Sequence, residues 1–310
     1  MKFLIIGAGV TGCFTAARLS GKGADVTLLA RGDKADRLEQ RGLLMRDAIS
    51  NERATAALNI VRAPVEDTFD VAMVCVQATQ RESLMPQLQD LPGNPAIWFL
   101  GNTTRGYEAA MDQLGSDRVL GGFPGVGGFW EGDELVFADR EKPRQKPFDR
   151  LIVGEAHADA AAAATAVQEH LEPLGMNIER HVPIMAWHWC HIGLVLPLAA
   201  AVYHHDSNLD VATSDRRLLK QVMRATAQGL TAIRQAGFPI LPRGLNLMRW
   251  IPAGMGASRI AGLLRSDFGR TALAAHAANA RDEMRGFAAD LLKLAGAEAG
   301  PDLRQALEWI

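Results

Sequence analysis

The sequence predicts an α/β domain followed by an all-helical domain, and two observations lead to this fold class. Short apolar segments that read as strands alternate with helical segments from the N-terminus to about residue 180. From Pro183 onward the pattern is almost entirely helical. At roughly 150 residues per domain, a chain of 310 residues accommodates both. We therefore predict domains at residues 1–180 and 181–310.

The N-terminus carries three glycines directly after a short apolar strand. Residues 2–12 read Lys-Phe-Leu-Ile-Ile-Gly-Ala-Gly-Val-Thr-Gly. In a dinucleotide site, Gly7 allows the sharp turn, Gly9 lets the backbone approach a pyrophosphate, and Gly12 lets the next helix pack against the strand. The N-terminus of that helix then faces the phosphates. The predicted cofactor-binding residues of this loop are Gly7, Ala8, Gly9, Val10, Thr11 and Gly12.

The segments that follow the glycines complete a βαβ unit of the Rossmann type. Residues 13–20 predict an amphipathic helix, and residues 24–30 predict a second strand. NAD enzymes usually place an acidic residue after this strand, whereas this chain has Arg31, with Lys34 and Arg37 just beyond. A cation suits a 2′-phosphate, so the cofactor predicted here is NADP(H).

Further apolar runs continue the first domain, and helices make up the second. Residues 119–122, 134–138 and 151–154 are interpreted as later strands, added antiparallel to the parallel sheet, with a charged loop at 139–150. The other predicted strands span 59–62, 70–76, 96–100 and 176–180, and the predicted helices span 81–91, 158–174, 185–203, 217–236, 264–278 or beyond, and 280–295, with Pro and Gly breaks at 237–256.

Composition excludes several classes of partner. The net charge of −2, without a basic run, argues against a nucleic-acid-binding surface. The three cysteines lack metal-ligand spacing, so we expect no metal and reduced thiols in a cytoplasmic protein. The longest apolar run, residues 192–203, contains Pro197 and is too short to cross a bilayer. The partners that remain are a small molecule and a second copy in a homodimer.

Several segments resemble the ketopantoate reductase family, NADP enzymes that reduce 2-dehydropantoate to pantoate. Besides the glycine loop and Arg31, residues 76–80 resemble the family segment after the fourth strand, and residues 101–106 resemble its Asn-Gly loop. The resemblance implies cofactor contacts from Gln77, Gln80 and Asn102, with Asn102 as the active-site asparagine. In the second half, residues 196–200 resemble the Asn-Pro-Leu-Thr-Ala helix, and Asp282 and Gly286 match two positions of Glu-x-Asp-x-x-x-Gly.

The departures from the family fall on polar groups. The family commonly has Lys at Gln77, a catalytic Lys at His188 and Glu at Ala280. His188 is the predicted replacement acid, because an imidazole titrates near neutral pH. The alternative is that His188 and His191 are hydrogen-bonded core histidines.

The expected activity is an NADPH-dependent reduction of a 2-oxo acid or related carbonyl compound. Asn102 would orient the nicotinamide or the substrate, and Ser266 would bind the substrate together with an arginine, chosen among Arg265, Arg243, Arg249 and Arg259. Two alternatives stay open: an NADP-binding or sensor protein that has lost catalysis, and a dehydrogenase with an opine-like substrate.

Overall fold

A computed structural model describes residues 1–63, 66–138, 150–274 and 280–310, and the chain divides into two units, Met1–Ile184 and Met185–Ile310. The division falls four residues after the boundary predicted at residue 180. His181 still belongs to the first unit, because its backbone N–H donates to the carbonyl of Val153 at 2.9 Å. Of the predicted charged loop at 139–150, residues 139–149 lie outside the described residues.

The first unit contains twelve strands among its described residues. They are β1 Lys2–Ile6, β2 Asp25–Leu29, β3 Leu43–Asp47, β4 Arg53–Ala56, β5 Asn59–Val61, β6 Val71–Val74, β7 Ala96–Leu100, β8 Val119–Phe123, β9 Gly127–Glu131, β10 Glu134–Ala138, β11 Leu151–Glu155 and β12 Ile178–Arg180. Its helices are α1 Val10–Gly21, α2 Gly32–Arg41, α3 Met85–Gln89, α4 Glu108–Leu114 and α5 Ala161–Leu171, with 3₁₀ turns at Ala78–Gln80, Glu82–Leu84 and Ala158–Ala160.

Eight of these strands form one twisted sheet in the order β12-β11-β8-β7-β6-β1-β2-β5. The run from β8 to β5 is parallel throughout, and β11 joins β8 antiparallel. The antiparallel orientation predicted for residues 119–122 is therefore wrong, because β8 pairs parallel with β7. The predicted Rossmann-type fold is thus confirmed. Between β5 and β6 the chain crosses from one side of β1 to the other, so the direction of strand order reverses between β1 and β6. In parallel sheets such a reversal leaves a crevice at the carboxyl ends of the two strands, where ligands bind.

A second sheet, in the order β4-β3-β10-β9, was not expected. The assignment of residues 134–138 to the main sheet is wrong, because β10 pairs parallel with β3 and antiparallel with β9. Strand β3 reads Leu-Leu-Met-Arg-Asp and β4 reads Arg-Ala-Thr-Ala, so neither has an apolar run longer than three residues, which is why the sequence does not reveal them.

Helix α1 lies between the two sheets and is buried on most of its surface. Residues 12–17 are all buried, and the Phe14 ring packs against the Phe137 ring of the small sheet at 4.9 Å between centroids. The expectation of an amphipathic helix is therefore wrong, because the small sheet covers the face that would otherwise meet solvent. On the opposite face, a Cβ at Gly12 would stand 1.8 Å from the carbonyl oxygen of Gly7.

The described part of the second unit is all-helical, as predicted. Its helices are α6 Ile184–His204, α7 Leu209–Ser214, α8 Arg216–Gln235, α9 Ala253–Arg265, α10 Arg281–Ala295 and α11 Pro301–Leu307, with a π-helical segment at Gly269–Ala274. The prediction of a helix that begins at residue 264 is wrong. Helix α9 ends at Arg265, because the Ser266 hydroxyl donates to the Leu263 carbonyl and accepts from the Gly269 N–H. Residues 275–279 of that prediction lie outside the described residues.

Helix α6 is the central apolar element of the second unit. By length and composition it could span a membrane, but 78% of its most apolar window is buried within the structure. Its Gly193 faces α8, where a Cβ would meet the Ile233 side chain at 2.7 Å. Leu196, Ala200 and Tyr203 belong to the apolar cluster that α6 shares with α8 and α10. The burial of α6 is that of a core helix.

Gly12→Ala is expected to lower the free energy of unfolding by about 2 kcal/mol or more, since the methyl group collides with backbone that cannot rotate away. The measurement is thermal or denaturant unfolding. Gly21→Ala is the matched control at the other end of α1, where no described atom lies within 4 Å of the added Cβ. That variant should be neutral or more stable by up to ~1 kcal/mol. Equal stability of the two variants would contradict the close packing of α1 on β1.

Candidate dinucleotide-binding site

The predicted cofactor residues of the first unit lie on four loops at one edge of the main sheet. These loops follow β1, β2, β6 and β7, which are consecutive neighbours in the sheet in the order β7-β6-β1-β2. Because the strands are parallel, their carboxyl ends meet at the same edge, where α/β sheets bind their ligands. The loops carry Gly7 to Gly12, Arg31, Gln77 with Gln80, and Asn102.

The three glycines have distinct local environments. Gly7 has φ +111°, and an added Cβ would lie 2.9 Å from Cγ1 of Val76. Gly9 is the residue before α1, and no described atom lies within 4 Å of the position of its absent Cβ. No side chain caps α1, so its first-turn N–H groups and its positive dipole end suit an anion such as a pyrophosphate.

Arg31 precedes α2 directly after the second strand. Its guanidinium is exposed and donates to Oε1 of Gln87 at 2.9 Å. Within the described ranges, no carboxylate lies within ion-pair distance of Arg31. Arg37, by contrast, pairs with Asp133 at 3.5 Å. The charge of Arg31 is thus available to a phosphate.

Lys34 occupies a different position from Arg31 on α2. Its ammonium lies over the Trp130 ring, 2.9 Å from the ring centroid. Burial lowers the pKa of this ammonium from its ordinary value. Lys34 is therefore engaged with the small sheet, and Arg31 is the better placed of the two for a 2′-phosphate.

Gln77 and Gln80 frame the first 3₁₀ turn after β6. Gln77 has extended backbone at the start of the turn, and the Gln80 N–H donates to its carbonyl at 2.9 Å. Both side chains are exposed. Their two amides therefore project from one turn and can donate or accept hydrogen bonds there.

Asn102 lies in the loop that leaves β7. Gly101 has φ +127°, and its N–H donates to the Gly122 carbonyl of the adjacent strand β8 at 3.0 Å. The loop then turns inward, leaving Asn102 8% exposed and Thr103 4% exposed. Asn102 is thus held in an ordered, largely buried loop, which suits an orienting group.

Arg81 is a buried residue at this edge of the main sheet that the sequence pattern does not identify. Its Nη2 is 3.3 Å from the Gly101 carbonyl and 3.4 Å from the Asn102 carbonyl, and its guanidinium lies 5.5 Å from the Phe99 ring centroid. Burial raises the pKa of the neighbouring Tyr107 to about 12, and Arg81 opposes that rise. Arg81 begins the polar run Arg-Glu-Ser, so nothing in the sequence separates it from a surface charge.

His188 belongs to the second unit, on α6. Its side chain is fully buried, at 0% exposure. The Trp187 ring meets the His188 ring edge-on at 5.6 Å and stacks on the His191 ring at 5.0 Å. These contacts agree with the alternative of core histidines, and the catalytic role of His188 stays a prediction.

Ser266 and its neighbour also make contacts within the second unit. The Ser266 hydroxyl donates to the Leu263 carbonyl at 2.6 Å and accepts from the Gly269 N–H at 3.1 Å. Arg265 donates to the hydroxyl and the carbonyl of Thr213, each at 3.0 Å. Both side chains therefore stabilise the turn after α9, and substrate binding by Ser266 stays a prediction.

Comparison with known proteins shows which family the first unit resembles. Residues 3–143 match the model of the family described as Ketopantoate reductase PanE/ApbA. This part of the chain is similar to the ketopantoate reductase family. The resemblance found in the glycine loop and in the loop of Asn102 is thereby confirmed.

One curated relative and several solved structures extend the comparison. An uncharacterized oxidoreductase, YkpB of Bacillus subtilis (strain 168), is 31% identical over 126 residues, which are 39% of this chain and 40% of that protein. The match thus spans less than half the length of the relative. These matches show that the chain is similar to oxidoreductases.

The solved structures show the fold of the whole chain. The 2-dehydropantoate 2-reductase of Geobacter metallireducens GS-15 superimposes with a TM-score of 0.77 at 15% identity, covering 100% of this chain and 98% of that one. A D-mandelate dehydrogenase with NADH and anilino(oxo)acetate gives a TM-score of 0.72 at 16% identity, covering 100% and 97%. A putative ketopantoate reductase of Ralstonia solanacearum MolK2 gives 0.71 at 16% identity, covering 99% and 95%.

The thiols of the folded protein are expected to react slowly with an aromatic disulfide reagent at pH 8. Cys13, Cys75 and Cys190 are free and buried, and burial raises the pKa of Cys13 to about 12 and that of Cys190 to about 11. Since the thiolate is the nucleophile, raising the pH toward 10 should accelerate the reaction. The denatured chain, titrated in guanidinium chloride, is the control and should show three fast thiols. Fast labelling of the native protein would contradict the burial.

Proposed function

We propose that the protein is an NADPH-dependent reductase, resembling 2-dehydropantoate 2-reductase, that reduces a 2-oxo acid or related carbonyl compound. The observation that carries the proposal is the arrangement of the glycine loop, Arg31 and Asn102 on neighbouring loops at the carboxyl edge of the sheet. The match of residues 3–143 to the ketopantoate reductase family model supports it.

The cofactor would be held by groups that the first unit already presents. The N-terminus of α1 and the open backbone at Gly9 would bind the pyrophosphate. Arg31 would bind the 2′-phosphate, because an exposed guanidinium beside the neutral Gln87 offers two parallel donors to a phosphate. Gln77, Gln80 and Asn102 would contact the rest of the cofactor. When bound, the reduced nicotinamide supplies the hydride.

NADP is proposed over NAD from the residue after β2. NAD enzymes place a carboxylate there to hold the ribose 2′-hydroxyl, and this chain places Arg31 there. The D-mandelate dehydrogenase of similar fold contains NADH, so the two cofactors must be compared directly.

For the reaction, the chain must orient the carbonyl and protonate the oxygen that becomes a hydroxyl. Asn102 would orient the nicotinamide or the substrate, and Ser266 would contact the substrate. His188 would donate the proton, since a protonated imidazole can release it near neutral pH. This proton would go to the oxygen of the carbonyl group.

We also propose a cytoplasmic location, because three buried free thiols suit a reducing compartment. The proposed partners are the carbonyl substrate and, for the helical second unit, a second copy of the chain, with no metal, nucleic acid or membrane. Light scattering of the purified protein gives its molar mass and so distinguishes a monomer from a homodimer.

Arg31→Gln should weaken NADPH binding about 10- to 100-fold, equivalent to ~1.4–2.7 kcal/mol, and change NADH binding less than about threefold. The reason is that only NADPH carries the 2′-phosphate that needs a charge-assisted hydrogen bond. Titration of intrinsic fluorescence or calorimetry gives both dissociation constants.

The matched control is Arg41→Gln, which removes an exposed arginine from the far end of the same helix α2. It should leave both dissociation constants unchanged. Equal losses of NADPH and NADH binding in Arg31→Gln would refute the 2′-phosphate assignment.

His188→Gln should preserve NADPH binding and lower kcat about 10²- to 10⁴-fold, the usual contribution of a general acid. The assay follows NADPH oxidation with a panel of 2-oxo acids, beginning with 2-dehydropantoate. His204→Gln, an exposed position on the same helix α6, is the control and should keep full activity.

An unchanged kcat in His188→Gln would leave His188 as a core residue. Tight NADPH binding without oxidation by any carbonyl compound would favour the binding or sensor protein. Turnover confined to an amino acid condensing with a 2-oxo acid would favour the opine-like dehydrogenase.

A further inference from the structure

We propose that Arg81 is a positioning residue that fixes the backbone of Asn102 at the reacting end of the site. The proposal rests on the proposed function, which assigns Asn102 the orientation of nicotinamide or substrate. The buried guanidinium comes from the loop after β6 and holds two successive peptide groups of the loop after β7.

The contacts of Arg81 converge on that loop. Arg81 directly precedes the second 3₁₀ turn after β6 and is 8% exposed. Its Nη2 lies 3.3 Å from the Gly101 carbonyl oxygen and 3.4 Å from the Asn102 carbonyl oxygen. One nitrogen that bridges consecutive carbonyls limits the rotation of both peptide planes.

The burial of Arg81 has an electrostatic cost that the site offsets without a counter-ion. Among the residues that the structure describes, no carboxylate lies within ion-pair distance of Arg81. The two carbonyl dipoles and the face of the Phe99 ring, 5.5 Å from the guanidinium carbon, take the place of an anion. A buried charge is strongly unfavourable unless its partners are well placed, so the carbonyls and the guanidinium hold one another in position.

The loop needs this second anchor because of how it leaves the strand. Gly101 has φ +127°, and its N–H is tied to the Gly122 carbonyl at 3.0 Å. That bond fixes the strand side of the peptide. Arg81 fixes the carbonyl side and carries the constraint on to Asn102, whose side chain then projects from a backbone held at both ends.

A lysine cannot reproduce this arrangement. Its ammonium is a strongly hydrated point charge, whereas the planar guanidinium donates in fixed directions and stacks on an aromatic ring. Comparing Arg81→Lys with Arg81→Met therefore separates the geometry of the guanidinium from its charge. Arg105→Met is the matched control, since Arg105 is exposed on the same loop.

The first test is hydrogen exchange of the full-length protein, measured by mass spectrometry on peptides that cover residues 101–106. Both Arg81 variants should exchange at least about tenfold faster in this loop, while Arg105→Met should match the parent protein. Peptides from β2 should exchange at the parent rate in every variant, which shows that the effect is local. If Arg81→Met does not fold, the exchange of Arg81→Lys is compared with that of Arg105→Met instead.

The second test separates catalysis from binding. Arg81→Lys and Arg81→Met should lower kcat about 10- to 100-fold, as misplacement of a reacting group does. The dissociation constant for NADPH should stay within about threefold of the parent value, because the phosphate-binding groups are untouched.

Two results would overturn the proposal. One is parent-like exchange of residues 101–106 in Arg81→Met, and the other is full recovery of kcat in Arg81→Lys, which would make charge the important property. The exchange experiment needs no substrate, so it tests Arg81 even if no 2-oxo acid is reduced and the proposed function fails.

Discussion

The approach of α1 to β1 is the constraint on which the first unit depends. A hydrogen atom is the only substituent that fits between Gly12 and the carbonyl of Gly7, since a Cβ would stand 1.8 Å from that oxygen. This contact sets the depth at which the N-terminus of α1 emerges at the sheet edge. The small sheet then covers the outer face of the helix through Phe137, so α1 is packed on both sides.

Two arginines without carboxylate partners among the described residues give this edge its electrostatic character. Arg31 is exposed and contacts only a neutral amide, Gln87, within the described chain, so its charge remains available to a ligand. Arg81 is buried, and the Gly101 and Asn102 carbonyls already accept from its Nη2. One arginine is suited to recognising a phosphate, and the other is suited to holding protein backbone.

The sequence was informative where the structural requirement is local. The glycine spacing identified β1, α1 and β2, and continuous apolar runs identified β6 and β7, because each signal lies within a few residues. The small sheet was not predicted, because β3 and β4 lack a long apolar run and because the pairing of β10 with β3 joins segments that are far apart in the chain. The role of Arg81 was not predicted, because the burial of a side chain depends on tertiary structure. The helix expected at 264–278 failed because one hydroxyl, that of Ser266, ends α9 early.

The small sheet also constrains the order in which the chain can fold. Its two halves come from distant segments, joined for example by Arg46 and Glu134, which are 88 residues apart. Phe14 and its neighbours on α1 therefore cannot be covered until β10 has left the ribosome. A nascent chain that ends before residue 138 exposes the outer face of α1, so completion of this surface waits for synthesis of nearly half the protein.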